Sequence, residues 1–78
     1  MNIKKLSDCK LGKSYLIKEL KIQNKSLLDH LRELYIKENT KITLLHRSYG
    51  NKVFMIKALD VNYALDKNIC DKVIVYDE

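Results

Sequence analysis

Four side chains in this sequence are candidates for nucleophilic, proton-transfer or metal chemistry: Cys9, His30, His46 and Cys70. Two cysteines and two histidines match a zinc set in number, but structural zinc sites in small domains take their ligands as close pairs such as C-x2-C or H-x3-H. Here no two of the four fall within about ten residues of each other, so the spacing argues against such a site. Catalysis fares no better: no glycine-flanked nucleophile turn surrounds either cysteine, and neither histidine has an Asp or Asn partner at a known spacing. The sequence is therefore read as that of a non-enzyme, with no catalytic residues, no metal and no cofactor. Exposure is the default for His30, on a helix one turn before Glu33, and for His46, on a strand face.

A second chemistry to weigh is nucleic-acid binding. Lys and Arg number 15 against 10 Asp and Glu, for a net charge of +5, and five tyrosines (Tyr15, Tyr35, Tyr49, Tyr63 and Tyr76) are available to stack bases. Only Arg32 and Arg47 are arginines, whereas base readout and bidentate phosphate contacts favour Arg. The tyrosines fall on different elements, with no aromatic and basic alternation along neighbouring strands. Scattered lysines read as a solvated surface, and the aromatics as core and rim packing.

These residues must be positioned by a chain of 78 residues, which points to one domain over 1–78 and to one small core with little left for a deep catalytic cleft. Hydrophobic residues make up 46%, enough to fold rather than remain disordered. Two cysteines are too few for a disulfide framework and the start does not read as a signal peptide, so a cytoplasmic setting with reduced thiols is expected. The longest apolar runs, Val53 to Ile56 and Val73 to Tyr76, are far shorter than the about 20 residues that span a bilayer. Any membrane link is expected to run through a partner.

With no proline and two glycines, nothing divides the chain. Ser7 to Gly12 reads as a turn in which Gly12 takes a positive φ. Ser14 to Ile22 reads as the first strand, with Leu16, Leu20 and Ile22 on one face and Lys18 breaking it. From Ser26 the period changes: Leu27, Leu28, Leu31 and Leu34 share one side of a helix of about nine residues, with Ser26 and Asp29 set as a capping box. Asn39 is suited to a left-handed turn before a strand at Lys41 to Ser48. Tyr49-Gly50-Asn51-Lys52 reads as a hairpin turn into Val53 to Leu59, and Asp60-Val61-Asn62 as a turn into a short strand, Tyr63-Ala64-Leu65. A single helical turn at Asp66 to Asp71 and a last strand at Val73 to Tyr76 complete the chain. The expected fold is mainly β: a small barrel of about five strands with one short α-helix between the first two.

This order resembles that of the SH3-like barrel of the ferrous iron transport protein A (FeoA) family. Leu6 to Lys13 resembles the family's opening stretch and turn, Leu27 to Ile36 its helix and Leu-Gly-Leu exit, and Glu38 to Ile42 its Pro-Gly-Thr-Glu-Val step. Ala64 to Val75 is similar to its Ala-Leu-Arg-Lys-Glu-Glu-Ala-x-x-Ile-x-Val ending, in which Cys70 takes the place of an Ala and reads as a small buried thiol. Departures fall on Tyr35, where a Gly usually closes the helix, and on Glu38 and Asn39, Asp60 and Asp66. A bulky residue at Tyr35 costs about 1 kcal/mol if the left-handed geometry is kept, so a remodelled helix exit is expected there.

The resemblance implies an accessory role in ferrous iron transport and iron homeostasis, through protein contact with the cytosolic GTP-binding part of the ferrous iron permease FeoB. A similar barrel forms the C-terminal domain of iron-dependent repressors related to the diphtheria toxin repressor. A stand-alone relative of that domain is one alternative reading, and a small basic nucleic-acid-binding barrel is the other. Since Leu27, Leu31 and Leu34 are needed to hold the helix, the residues left to meet a partner are His30, Arg32 and Tyr35, with Tyr and Arg the types enriched where interfaces carry their energy.

If the lysine charge is generic, binding to single- or double-stranded nucleic acid is expected to be weak and to vanish by about 0.2 M salt. Fluorescence anisotropy at physiological salt checks this, and sub-micromolar affinity with a base preference contradicts it.

Overall fold

The helix that the leucine period marks out forms at Lys25–Glu33, and its two ends explain its position. Asn24, not Ser26, is the N-cap: its side chain accepts from the Leu27 amide at 3.1 Å, which replaces the capping box expected from Ser26 and Asp29. At the other end the Ile36 amide donates to Leu31 O at 2.9 Å and the Tyr35 amide to Arg32 O at 3.0 Å. This is a Schellman closure, with Tyr35 in the left-handed position at φ 63°. The exit is thus not remodelled: the left-handed geometry is kept with a tyrosine in the position where glycine is favoured. Ile36 and Leu31, the apolar pair that accompanies such a closure, are both fully buried.

The structure, a computed structural model, describes residues 2–48 and 50–77; Tyr49, the first residue of the expected hairpin turn, lies outside them. In chain order the elements are β1 (Asn2–Lys5), a 3₁₀ turn (Leu6–Asp8), β2 (Ser14–Leu20), α1 (Lys25–Glu33), β3 (Lys41–Ser48), β4 (Val53–Ala58), β5 (Val61–Asp66), α2 (Lys67–Cys70) and β6 (Val73–Asp77). All pairings are antiparallel, in the order β1-β6-β2-β3-β4-β5. The described residues thus form six strands against the five expected, and α1 lies between β2 and β3. The additional strand is β1, whose Asn-Ile-Lys-Lys shows no alternation of its own and pairs with β6 from Asn2↔Asp77 to Lys5↔Ile74.

Two bulges shape the sheet. Against β6, the β2 register runs Ile17↔Val75 and then Glu19↔Ile74; against β4, β3 runs Leu44↔Ile56 and then His46↔Met55. Each strand therefore carries one extra residue, Lys18 or Leu45, which bends it and reverses its alternation. Before the β2 bulge the inward residues are Tyr15 and Ile17, while Leu16, expected on the core face, is exposed. Leu20 and Ile22 pack on the core from beyond it.

The turns follow their residues. Gly12, Asn39 and Asp60 all have positive φ, as expected. The last hairpin, however, turns on Leu59 and Asp60 (φ 49° and 65°) rather than on Asp60 to Asn62, and β5 begins at Val61. Two positive φ values in a two-residue loop are what the twist of a hairpin favours. Among the described residues no helix is long and apolar enough to cross a membrane.

One core joins all strands but β1 with α1, and includes Leu6, Ile17, Leu31, Ile36, Ile42, Leu44, Phe54, Ile56, Val73 and Val75. Leu27, Leu28 and Leu34 pack against it half-buried. Polar ties fasten the N-terminal turn to this core. Arg47 Nη2 donates to the carbonyls of Cys9 (2.6 Å) and Ser7 (3.3 Å), and its guanidinium lies 5.6 Å from the Phe54 ring centroid. Ser7 Oγ donates to Asp71, which also accepts from Lys67 Nζ at 2.9 Å. These two bonds, that from Ser7 first, hold the Asp71 carboxyl below its usual pKa. The associated stability is present above the ordinary carboxylate range and is lost as pH falls through it.

Both thiols belong to this core. Burial, the largest cause in each case, pushes Cys9 from 9.0 up to about 11 and Cys70 up to about 12. Because the folded values lie above the unfolded one, the thiols do not destabilise the fold below about pH 9; above it they ionise more readily when unfolded, and stability falls.

Three outcomes are expected. Leu31→Ala lowers unfolding stability by about 2–5 kcal/mol, as for a buried leucine. Tyr35→Gly raises it by about 1 kcal/mol, since glycine takes the left-handed exit without strain. Urea melts followed by circular dichroism measure both, and a Tyr35→Gly variant less stable than the parent contradicts the second. Iodoacetamide at pH 8.5 is expected to label neither cysteine while the protein is folded and both in denaturant, read by intact mass; fast labelling of the folded protein contradicts the burial of the thiols.

Candidate functional site at the helix exit

The exit of α1 gathers two of the three residues that the sequence offers to a partner, Arg32 and Tyr35. Arg32, in the last turn, extends its guanidinium to Glu38, Nη2 to Oε2 at 3.2 Å, bridging the closure from helix to loop. Tyr35 is 51% exposed, and Lys37 Nζ stands 5.2 Å from its ring centroid. The left-handed backbone at Tyr35 turns the chain so that its neighbour Ile36 enters the core while the ring stays outside.

His30 is exposed as well, but the structure does not bring it to this cluster. Residues two apart on a helix point about 200° away from each other, so His30 and Arg32 flank the buried Leu31 on opposite sides. Both are basic groups in the last turn, where the helix dipole favours positive charge. The surface at the exit is therefore Arg32, Tyr35, Lys37 and Glu38: an aromatic face bordered by two cations and one carboxylate. Lys37 and Glu38 were not assigned to a partner surface from sequence, although their places directly after Ile36 follow from a closure that starts at Leu31.

His46 is exposed on β3, and the two cysteines are buried in the core. Among the described residues no group of three or more His, Cys, Asp and Glu is placed to hold a metal ion. Tyrosines are likewise dispersed: Tyr15 is buried with its hydroxyl accepting from the Lys10 amide at 3.1 Å, and Tyr63 and Tyr76 are half-buried on β5 and β6. What the exit can do chemically is bind, through an aromatic ring, a cation–π pair and a partly exposed ion pair. It has no arrangement for proton transfer or nucleophilic attack.

Comparison with solved structures gives the same architecture at low sequence identity. An iron uptake regulatory protein (FeoA) superposes with a TM-score of 0.80 over 96% of this chain and 96% of its own, at 17% identity. The FeoA of Stenotrophomonas maltophilia, an SH3 domain protein solved with zinc, has a TM-score of 0.79, 92% and 88% coverage, and 19% identity. A manganese-dependent transcriptional repressor matches with a TM-score of 0.82 at 12% identity; there the barrel covers 94% of this chain and 40% of the repressor. A search of curated proteins finds no match. Residues 4–77 match the model of the FeoA domain, from the first described strand to the last, and the chain belongs to the FeoA domain family.

Proposed function

We propose that this chain is a cytoplasmic accessory protein of ferrous iron transport that works by binding rather than catalysis, docking on the cytosolic GTP-binding part of the ferrous iron permease. The observation that carries this reading is the match to the FeoA domain over residues 4–77, joined to a helix exit that holds an exposed aromatic in strained backbone. A partner can shift the transporter between states only by preferring one of them, so the relevant quantity is differential affinity for those states. Tyr35 and Arg32 are assigned the contact, with His30 on the far flank of the helix at its margin.

Such a contact suits the chemistry of the site. A half-exposed tyrosine beside Lys37 presents a flat apolar face with a polar tip, and the Arg32 to Glu38 pair forms a charged border that water reaches. On its own the ion pair contributes little to stability at that exposure. Its use is orientation: it holds the guanidinium across the exit, ready for a carboxylate or carbonyl of a partner.

A second reading, a stand-alone relative of a repressor's C-terminal domain, is supported by the likeness to the manganese-dependent repressor. One experiment separates the two. Pull-down of the permease's cytosolic domain is expected to succeed with the parent chain and to weaken about tenfold or more with Tyr35→Gly, a loss usual for an interface anchor. Retention of the purified repressor's DNA-binding portion, with none of the permease domain, favours the second reading. If Tyr35→Gly melts the protein while binding per folded molecule is unchanged, Tyr35 is structural and the assigned surface is wrong.

A further inference from the structure

The outer face of β2, β3 and the β4–β5 hairpin carries an open groove of about 320 Å³ lined by Ser14, Lys41, Thr43, Lys57, Leu59 and Asp60. It shares no residue with the helix exit. Strand register builds it: Ser14 pairs with Thr43 and Thr43 with Lys57, while Lys41 and Thr43, two apart on β3, face the same way. The Ser14 and Thr43 hydroxyl oxygens lie 2.8 Å apart, so one donates to the other and a second O–H remains to donate outward.

The charge in the groove is unbalanced. Among the described residues Lys41 has no carboxylate partner, and Lys57 has Asp60 at 3.7 Å, with the Asp60 side chain 95% exposed. An ion pair that long and that open leaves the Lys57 ammonium available to another carboxylate. Beside it stands Leu59, 59% exposed and held at φ 49°. A leucine there is strained where Gly or Asn is not, and an exposed, strained apolar residue is a mark of function rather than of packing. Leu16, next to Lys41 across the strands, adds a second exposed aliphatic.

We propose that this groove binds an extended acidic segment of a partner protein, with a carboxylate between Lys41 and Lys57 and an aliphatic side chain against Leu59. Charge complementarity selects an acidic occupant, and the aliphatic wall selects a peptide over a nucleic acid, since no aromatic residue lines the groove to stack a base. The size is at the small end of ligand sites, enough for a few side chains of a peptide lying across the strands. This inference goes beyond the transport reading and does not depend on which protein supplies the segment.

The test uses the full chain, labelled with ¹⁵N and titrated with a short synthetic peptide alternating Glu and Leu. A Lys and Leu peptide and an oligothymidine are the comparisons. Amide shifts on Ser14, Thr43 and Lys57 to Asp60 with the acidic peptide alone are expected. Lys41→Glu with Lys57→Glu is expected to weaken binding about tenfold or more, a ratio that corresponds to about 1.4 kcal/mol. Leu59→Gly is expected to weaken it without lowering the melting temperature, which keeps the test informative if the double variant fails to fold. No binding of the acidic peptide, shifts centred on the helix exit, equal binding of the lysine peptide, tighter binding of the oligothymidine, or unchanged affinity in Leu59→Gly each overturns the proposal.

Discussion

A helix of nine residues does not hold itself in water, and this one depends on how its last turn is closed. The Schellman closure at Tyr35 satisfies two carbonyls and at the same stroke drops Ile36 into the core beside Leu31. From there the chain is committed: the Asn39 amide donates to Ile17 O at 2.9 Å, and the Ile17 amide to Thr40 O at 3.0 Å, so the exit loop becomes the first rung between β2 and β3. One residue in left-handed geometry thus sets where the helix lies, where β3 starts and which side chains face outward at the exit.

The order of elements was legible because each carries its own signal: the leucine period of α1, Asn39 and Asp60 at left-handed turns, Gly12 before β2. What the sequence did not disclose are features decided by pairing. A one-residue bulge inverts a strand's inward face, and Lys18 in β2 has no local property that marks it as the extra residue; Leu16 therefore read as core while Tyr15 and Ile17 took that place. β1 was missed for a related reason, since Asn2 to Lys5 is a strand only because β6 lies beside it. At the site, Tyr35 stood out in the sequence as a bulky residue in place of glycine, but whether its ring covers the barrel end or stays in water is settled only by the closure that turns Ile36 inward. The groove on the outer face was not legible, because it joins residues from three strands and a turn.

The two arginines divide between the inside and the surface. Arg47 is spent on the fold: its Nη2 donates to two carbonyls of the N-terminal turn while the planar guanidinium lies over the Phe54 ring, a combination for which a lysine is a poor substitute. Arg32 keeps its pairing at the surface, with Glu38. Of the two arginines, only Arg32 is exposed.

Five non-glycine residues with positive φ are found among those described: Tyr35, Asn39, Asn51, Leu59 and Asp60. Asn and Asp carry that geometry at little cost because their short polar side chains bond locally. Tyr35 and Leu59 have no such compensation and are, in addition, largely in water, so neither backbone preference nor burial accounts for them. Glycine at either position relieves the strain, and the helix exit would close equally well without the ring. Native domains are stable by only about 5–15 kcal/mol, yet this chain keeps two avoidable costs of about 1 kcal/mol each, at two separate places where a large apolar side chain is held outward. Packing alone does not account for that combination, and it is this mismatch between backbone cost and burial that motivates the contacts proposed at both places.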